Sequence, residues 1–412
     1  MSADTILYII VAILVVNYLW EQLLDLLNLN HQKDHPPKEL ADVCDQATYR
    51  KTLAYHRAQT KFGFVSSAIS FVALLVLLLT GAFGELDSWL HQYIDNEILL
   101  ALSFFGILFL VADILSIPLQ WYNTFVLEEK FGFNKTTVPT FWLDKLKGYL
   151  LAAVLAGPLV WLLLFLIDRL GPAFWIYFVL AIGLFSLFLN VFYTSLILPL
   201  FNKLTPLPDG ELKRAIEVYA SKVSFPLSNI LVIDGSKRSS KSNAFFSGIG
   251  KKKKIVLYDT LIENHSIEEL VSILAHEVGH YRKKHVIQNF VLSLIQSAVM
   301  MFLLSRMITQ ESLSLALGAQ QTSIHLNLLA FGMLYAPVSK LLGVFLNILS
   351  RKNEFQADAF AAKTADKSAL ASALKNLSVD NLSNLWPHHW FVFFHYSHPP
   401  LVQRLRALDL EN

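Results

Sequence analysis

Cysteine is almost missing from this 412-residue chain, in which Cys44 is the only one. A disulfide within one chain is therefore excluded, and so is a metal site built from cysteine thiolates. Any bound metal must be held by nitrogen and oxygen atoms. Charge is also scarce, since Asp, Glu, Lys and Arg make up 16% of the residues and the formal net charge is +2. The basic residues are spread among loops, so they do not indicate nucleic-acid binding.

Long apolar runs are abundant instead. Hydrophobic residues make up 54% of the sequence and the mean hydropathy is +0.46, too apolar for an ordinary soluble protein. We predict seven membrane-spanning helices, because seven runs approach or exceed the length of about 20 residues that crosses a bilayer. The first run lacks a basic region and a small-residue cleavage site, so we interpret it as a helix rather than a signal peptide. The runs are residues 6–27, 64–83, 98–119, 149–167, 172–200, 286–307 and 325–350.

The connections between these runs alternate in basic content. Residues 84–97 and 309–323 contain no lysine or arginine, whereas residues 120–147 contain four lysines and residues 201–285 are rich in both. The positive-inside rule therefore places the N-terminus outside and the large loop and the C-terminus in the cytoplasm. No dilysine or KDEL-like signal ends the chain, which favours a bacterial inner membrane over the endoplasmic reticulum membrane.

One stretch carries metal-ligand side chains at helical spacing. Residues 273–281 contain the pattern H-E-x-x-H as His276, Glu277 and His280. Positions i and i+4 of a helix share a face, so both imidazoles can bind one metal ion. Glu277 stands where a carboxylate can act as general base towards water, as in metalloproteases. The alternative is a helix whose histidines are only solvated or hydrogen-bonded.

The helix that carries this motif has a clear start. Ser266 and Glu269 have the spacing of a capping box before an apolar periodic run. We expect the helix to continue straight through residues 281–285 into the sixth apolar run, which puts the metal at the cytoplasmic mouth of the membrane part. A catalytic zinc takes three protein ligands, so the remaining one must come from elsewhere in the chain.

A second motif directly follows the seventh apolar run. Glu354 and Asp358 are four residues apart, and a helical hairpin with the sixth run brings them to the height of the two histidines. We predict Glu354 as the third zinc ligand. Asp358 then accepts the free N–H of a ligating histidine or helps with proton transfer. The alternative for Glu354 is an ion pair with Arg351 or Lys352.

Candidate donors for an oxyanion lie near the C-terminus. Stabilising a tetrahedral intermediate needs one or two donors besides the metal. His398 is the first candidate, with Tyr396, His395 and Arg404 behind it. The alternative for His398 is a simple turn residue, because proline follows it.

The loop before the motif has mixed structure. Residues 210–223 have amphipathic helical spacing, and residues 229–234, 243–247 and 254–258 are β-like, the last two forming a hairpin. The lysine run at residues 251–254 is interpreted as a solvated turn, with contact to anionic lipid headgroups as the alternative.

Four polar residues fall within the predicted spans: Asp113, Asn190, Lys340 and Asn347. Such residues face a protein interior or water rather than lipid. Asp113 and Lys340 either pair with each other or contact substrate.

With these residues in view, the chain resembles the type I CAAX prenyl proteases, which are membrane zinc metalloproteases. The resemblance rests on residues 121–137, 234–239, 242–248, 274–280, 353–358 and 396–400, in family order. It implies a mainly α polytopic membrane protein, with seven helices enclosing a water-filled chamber and a cytoplasmic zincin-like α/β protease domain. Lys241 departs from the family pattern, in which a histidine often precedes the Ser-Asn pair.

The resemblance also implies roles for individual residues. It assigns one Zn²⁺ per chain to His276, His280 and Glu354, and the catalytic base to Glu277. It suggests that a strand binds an extended peptide substrate by edge pairing. The residues of that strand are Asn243, Ala244, Phe245 and Phe246.

We expect four segments and one leading function. The segments are a membrane domain (1–200), a cytoplasmic zincin-like domain (201–285), two further membrane helices (286–350) and a C-terminal helical segment that completes the catalytic domain (351–412). The function is a membrane-embedded zinc endopeptidase that contacts lipid and removes the last three residues of prenylated proteins. The alternatives are a bacterial quality-control protease without a prenyl requirement, and a transporter or channel with a structural metal site.

Overall fold

The structure, a computed structural model, describes residues 1–248 and 253–410. It is mainly helical, with one small sheet in the second half. The helices before the sheet are α1 (Ala3–Asn30), α2 (Gln46–Leu79), α3 (Ala82–His91), α4 (Glu97–Tyr122), α5 (Glu129–Phe131), α6 (Val138–Leu170), α7 (Phe174–Phe192) and α8 (Leu198–Phe201). The others are α9 (Glu211–Lys222), α10 (Asp259–Asn264), α11 (Ile267–Arg282), α12 (His285–Met307), α13 (Glu311–Ala316), α14 (Ile324–Thr364), α15 (Lys367–Asp380), α16 (His389–His395) and α17 (Leu401–Leu410).

Within the described residues, six helical segments are long and apolar enough to cross a membrane. Many of their apolar side chains are exposed, including Leu184 (70%) and Leu341 (71%), as expected for surfaces that face lipid. The segments are Ala3–Asn30, Gln46–Leu79, Glu97–Phe131, Val138–Phe201, His285–Met307 and Ile324–Thr364.

The fourth of these segments contains two helices. Its 64 residues are interrupted at Gly171–Ala173, a 3₁₀ turn between α6 and α7 where Gly171 has φ +51°. Leu166 of α6 and Phe178 of α7 belong to one apolar cluster, so the two helices pack together. The sequence predicts two spans at this place. The total of seven spans stays a prediction.

Helices α11 and α12 are not one straight helix, so the expectation of a continuous rod through residues 281–285 is wrong. α11 ends at Arg282, and Lys284 has φ +61°, in the left-handed region. This conformation breaks the helical hydrogen-bond ladder, and α12 begins at His285. The break turns the His285 ring towards His280, with 3.0 Å between the two Nδ1 atoms.

The strands form one four-stranded sheet in the order β1-β2-β4-β3. β2 and β4 are parallel, while the pairs β1–β2 and β3–β4 are antiparallel. The predicted pairing of the last two strands is confirmed, but Lys251 and Lys252 of the predicted turn lie outside the described residues. The sequence did not reveal β1. The strands are β1 (Leu204–Pro206), β2 (Leu227–Ile233), β3 (Ala244–Ser247) and β4 (Lys253–Tyr258).

A single apolar core holds the motif helix in place. Ile216 of α9, Leu257 of β4, Leu274 and Val278 of α11 and Ala361 of α14 are all buried in it. α14 has 41 residues and is therefore about 60 Å long, twice the hydrocarbon thickness of a bilayer. Its first part lies among the membrane helices and its last part in this core. The predicted segment boundary at residue 350 falls inside α14, and the four-segment division stays a prediction.

The polar residues of the spans have other partners than expected. Asp113 pairs with Lys145 at 2.8 Å, and Lys340 pairs with Glu21 at 2.5 Å. The Asp113–Lys340 pair is therefore wrong. The reason is packing, because α4 contacts α6 whereas the part of α14 that carries Lys340 lies against α1.

Candidate metal centre

The motif helix is anchored at both its start and its side. The predicted capping box is present: Ser266 Oγ accepts from the Glu269 N–H at 3.2 Å, and Glu269 Oε2 accepts from the Ser266 N–H at 3.1 Å. The other oxygen of Glu269 accepts hydrogen bonds from Ser372 and Asn376 of α15. The register of α11 is thus held relative to the C-terminal helices.

Three ligand-type side chains converge from α11 and α14. The Nε2 atoms of His276 and His280 are 3.1 Å apart. The Glu354 carboxylate places Oε2 at 3.4 Å from His276 Nε2 and Oε1 at 3.3 Å from His280 Nε2. Ligands about 2.0–2.1 Å from a tetrahedral ion are roughly 3.3–3.4 Å from one another, so this spacing fits a metal.

The state of the Glu354 carboxylate supports the same conclusion. Glu354 is 3% exposed, and among the described residues its Oε2 has no hydrogen-bond partner. A buried carboxylate oxygen without a partner is costly, unless a cation is bound beside it. Donor atoms of nitrogen and oxygen suit zinc and similar divalent metals. His276, His280 and Glu354 could therefore hold a metal ion.

A glycine lets the two helices approach closely. A Cβ atom on Gly279 would lie 2.9 Å from the Ala357 Cα and 3.0 Å from the Ala357 carbonyl oxygen. Real Cβ atoms are not found so close to backbone, so this position of α11 has room only for hydrogen. Because Ala357 lies one turn after Glu354, the contact brings the carboxylate within reach of both histidines.

A second layer of polar groups orients His276. Its Nδ1 lies 2.8 Å from Asp358 Oδ1, and Arg404 holds Asp358 through Nε at 2.8 Å and Nη2 at 2.6 Å. The Asp358 carboxylate places the proton on Nδ1, which leaves the lone pair of Nε2 facing Glu354. Burial lowers the pKa of His276, but the Asp358 and Glu354 carboxylates beside the ring outweigh this effect and raise the pKa to about 9. The two carboxylates thus favour a positive charge at this ring, which either a second proton or a metal ion on Nε2 can supply.

Glu277 and His398 lie beside the three converging groups. Burial raises the pKa of Glu277, as suits a carboxylate that accepts a proton. His398 Nε2 is 3.4 Å from Glu354 Oε1, and the ring is 65% exposed. His398, Tyr396 and Arg404 line a cavity of about 430 Å³. An exposed histidine at the mouth of a cavity is accessible to a ligand.

The remaining predicted site residues are placed differently. His395 pairs with Glu21 at 3.1 Å, so it is not available as a donor to this site. Burial raises the pKa of Tyr396 to about 12, and its carbonyl oxygen accepts a hydrogen bond from Arg351. The ion pair considered for Glu354 with Arg351 is not formed, because that guanidinium donates to the Val392 and Tyr396 carbonyls.

The predicted substrate strand lies at the end of the sheet. β3 pairs with β4 only, so its other edge has no strand partner among the described residues. Ala244 and Phe246 pack against the core that contains α11, while the Phe245 ring lies 6.5 Å from that of Tyr193. The Asn243 carbonyl accepts from the Tyr258 N–H. The role of these residues stays a prediction.

Sequence reasoning missed two contributors. His285 contacts His280 and also lies 3.2 Å from Gln356 Oε1 of α14. A continuous helix would have pointed His285 elsewhere, so only the break at Lys284 reveals it. Gly279 is visible inside the motif, but its contact with Ala357 depends on the packing of two distant helices.

A bundle of membrane helices in which two packed helices bring together histidine and glutamate side chains that could hold a metal ion defines a class, the membrane-embedded metallopeptidases. Residues 206–412 match the family model described as Peptidase family M48, and residues 25–203 match the one described as CAAX prenyl protease N-terminal, five membrane helices. The chain belongs to peptidase family M48, and it is a multi-pass integral membrane protein.

Individual relatives agree over the full length. A CAAX prenyl protease 1 homolog of Arabidopsis thaliana is 37% identical, over 98% of this chain and 97% of the relative. The CAAX prenyl protease 1 of Saccharomyces cerevisiae is 33% identical, over 90% of this chain and 88% of the relative. The crystal structure of S. mikatae Ste24p has a TM-score of 0.93 and 33% identity, covering 98% of this chain and 99% of that one. The predicted mainly α membrane fold with a metalloprotease domain and the metalloprotease hypothesis are confirmed, whereas the seven spans and the water-filled chamber stay predictions.

Proposed function

We propose that this chain is a zinc endopeptidase that removes the C-terminal tripeptide of prenylated CAAX proteins. The observation that carries the proposal is the buried Glu354 carboxylate, whose oxygens lie 3.3–3.4 Å from the Nε2 atoms of His276 and His280. Three ligand atoms at this spacing leave one position open for catalysis. The names of the relatives supply the substrate class.

Each residue then has a defined task. His276, His280 and Glu354 hold the zinc ion, which supplies Lewis-acid chemistry when bound. Glu277 accepts the proton of the attacking water and passes it to the leaving amine, as its raised pKa favours. Asp358 keeps His276 in the tautomer whose Nε2 is free.

The substrate is held by groups around this centre. His398, next to the cavity and to Glu354, donates a hydrogen bond to the oxygen on which negative charge develops. Arg404 acts through Asp358, and its charge adds to the positive field at the site. Tyr396 lines the same cavity as a neutral donor. The free edge of β3, at residues 243–246, pairs with the extended peptide.

The side of the membrane on which the metal centre lies follows from the charges of the segments around it. The segments around the centre are those with the high lysine and arginine content, which supports a site on the cytoplasmic face. The exposed apolar side chains of the spans contact lipid. The prenyl group of a substrate inserts into the same bilayer, which brings the cleavage site to the membrane boundary. The choice between a bacterial inner membrane and the endoplasmic reticulum membrane stays a prediction.

The test compares two peptides and two proteins. Purified full-length chain is given a farnesylated CAAX peptide and its unmodified twin, and released tripeptide is measured by mass spectrometry. Glu277→Gln serves as the catalytic variant, with zinc content measured on the same samples. We expect one zinc per chain in both proteins and a loss of about 10²-fold or more in cleavage for the variant.

Two results would contradict the proposal in different ways. Full activity of Glu277→Gln would remove the assigned base and with it the proposed reaction. Equal cleavage of both peptides would remove the prenyl requirement while leaving the metalloprotease chemistry intact.

A further inference from the structure

A second site lies outside the metal centre, in a groove between α7 and α12. Its volume is about 820 Å³, within the range of about 300–1,000 Å³ that is typical of ligand sites. The groove has an apolar wall formed by Leu187 of α7 and by Val286, Ile287 and Phe290 of α12. Val286 and Ile287 are 50% and 60% exposed. The proposed peptidase reaction uses none of these residues.

Three cations line this groove: Lys253, Arg282 and Lys284. None of them has a carboxylate partner among the described residues. Arg282 donates to the Ser224 carbonyl at 3.0 Å and Lys253 donates to the Gly248 carbonyl at 2.5 Å, so neither charge is neutralised by its hydrogen-bond partner. No acidic residue lines the groove in the described part of the chain. Three unneutralised charges that line one groove attract an anion.

Two other basic residues, Lys145 and Arg238, do have carboxylate partners. Lys145 pairs with Asp113 at 2.8 Å, and Arg238 pairs with Asp144 at 2.7 Å. The three cations of the groove, in contrast, have only carbonyl partners or none among the described residues.

The position of the cluster identifies the kind of anion. Lys284 directly precedes α12, a membrane-spanning helix, and the apolar wall begins in the first two turns of the same helix. The cations thus lie where the headgroups of a bilayer meet its hydrocarbon. Four polar side chains that can donate to ester oxygens also line the groove. They are Ser186, Asn190, Asn289 and Ser293.

We propose that this groove binds one phospholipid with an anionic headgroup. Lys253, Arg282 and Lys284 bind the headgroup phosphate, and an acyl chain lies along α7 and α12. A free phosphate would use the cations but leave the apolar wall exposed, whereas a lipid covers both. Asn190, a polar residue within a span, thereby gains a partner.

The test measures lipid binding to the full-length protein in detergent. Native mass spectrometry follows titrations with dioleoylphosphatidylglycerol and with dioleoylphosphatidylcholine. The double variant Lys253→Gln/Lys284→Gln removes two of the three charges. The matched control Lys61→Gln/Lys283→Gln removes two exposed lysines near the same membrane boundary that do not line the groove.

We expect one phosphatidylglycerol to bind at least tenfold more tightly than phosphatidylcholine. Each headgroup contact near a membrane surface changes affinity about fivefold, so the double variant should weaken phosphatidylglycerol binding about 25-fold and the control less than twofold. The single variant Lys284→Gln should weaken phosphatidylglycerol binding about fivefold. Because the Lys284 side chain is exposed, this variant tests the proposal even if the double variant misfolds.

Four outcomes would overturn the proposal. They are equal affinity for the two lipids, an equal loss in the control, and displacement of the lipid by millimolar glycerol phosphate, which would indicate a site for small anions. The fourth is unchanged lipid binding with a fivefold higher KM for the farnesylated peptide, which would assign the groove to substrate. Because lipid binding is read directly, the test does not depend on peptidase activity.

Discussion

Replacing Gly279 by alanine should separate the two helices that carry the candidate metal ligands. The added methyl group would lie 2.9 Å from the Ala357 Cα, whereas carbon atoms in contact are about 3.5–4.0 Å apart. α11 and α14 must therefore move apart by about 0.6–1 Å at this point. Overpacking of this kind costs about 1–3 kcal/mol of folding free energy.

The displacement matters more for the site than for the fold. Metal–ligand distances tolerate about ±0.2 Å, and misplacing a catalytic group by about 1 Å costs roughly 10²-fold in rate. We expect Gly279→Ala to fold and insert, to lose most of its zinc, and to have a kcat/KM about 10²-fold lower. The measurements are zinc content, cleavage of a farnesylated peptide and the thermal midpoint of unfolding.

Two further variants test the contact between Gly279 and Ala357. Gly343 lies on α14, and a methyl group added there would meet nothing within 4 Å. Gly343→Ala should therefore keep activity within about twofold, since alanine favours a helix. Adding Ala357→Gly to Gly279→Ala should not restore activity, because the closest atoms are backbone. Wild-type zinc content and kcat/KM in Gly279→Ala would refute the role of this contact.

Three further predictions concern the site. Asp358→Asn should weaken zinc binding about 10–100-fold, measured by competition with a chelator, because His276 loses the carboxylate that orients it. Removing the metal with 1,10-phenanthroline should abolish cleavage and lower the thermal midpoint, since bound metal stabilises the folded state, and zinc should restore both. Asn347→Ala should lower kcat with unchanged zinc content, because Asn347 donates at 2.9 Å to the Phe394 carbonyl in the segment that leads to His398.

Each of these three predictions has a result that would contradict it. Unaltered zinc affinity in Asp358→Asn would mean that the tautomer of His276 is set by other groups. Full activity after complete metal removal would argue against any metal-dependent reaction. A drop in zinc content in Asn347→Ala would show that the loop supports the ligands themselves rather than His398.

Much of the candidate site could be predicted from the sequence, because each motif consists of residues that are close together in the chain. The i, i+4 spacing of His276 and His280 and of Glu354 and Asp358 follows from helix geometry alone, and so does the capping box at Ser266. The structure brings these groups together as predicted. The antiparallel pairing of the last two strands was also predictable from a short, local turn.

The wrong predictions concern partners that are far apart in the chain. Charge and membrane depth suggest a pair between Asp113 and Lys340, but which helices are neighbours decides such pairs. The sequence offers His395 as a catalytic donor, yet Glu21, more than 370 residues earlier, accepts its hydrogen bond. Sequence spacing carries no information about contacts of that kind.

The sequence by itself determined that the chain is a membrane protein, that a metal would need nitrogen and oxygen ligands, and which helices carry the candidate ligands. Only the tertiary structure decided the break at Lys284, the close approach at Gly279 and the groove beside α12 that three cations line. The reason is the range of the forces involved. Helix periodicity and hydrophobic length are set by neighbouring residues, whereas contact between α11 and α14 depends on how the whole core packs.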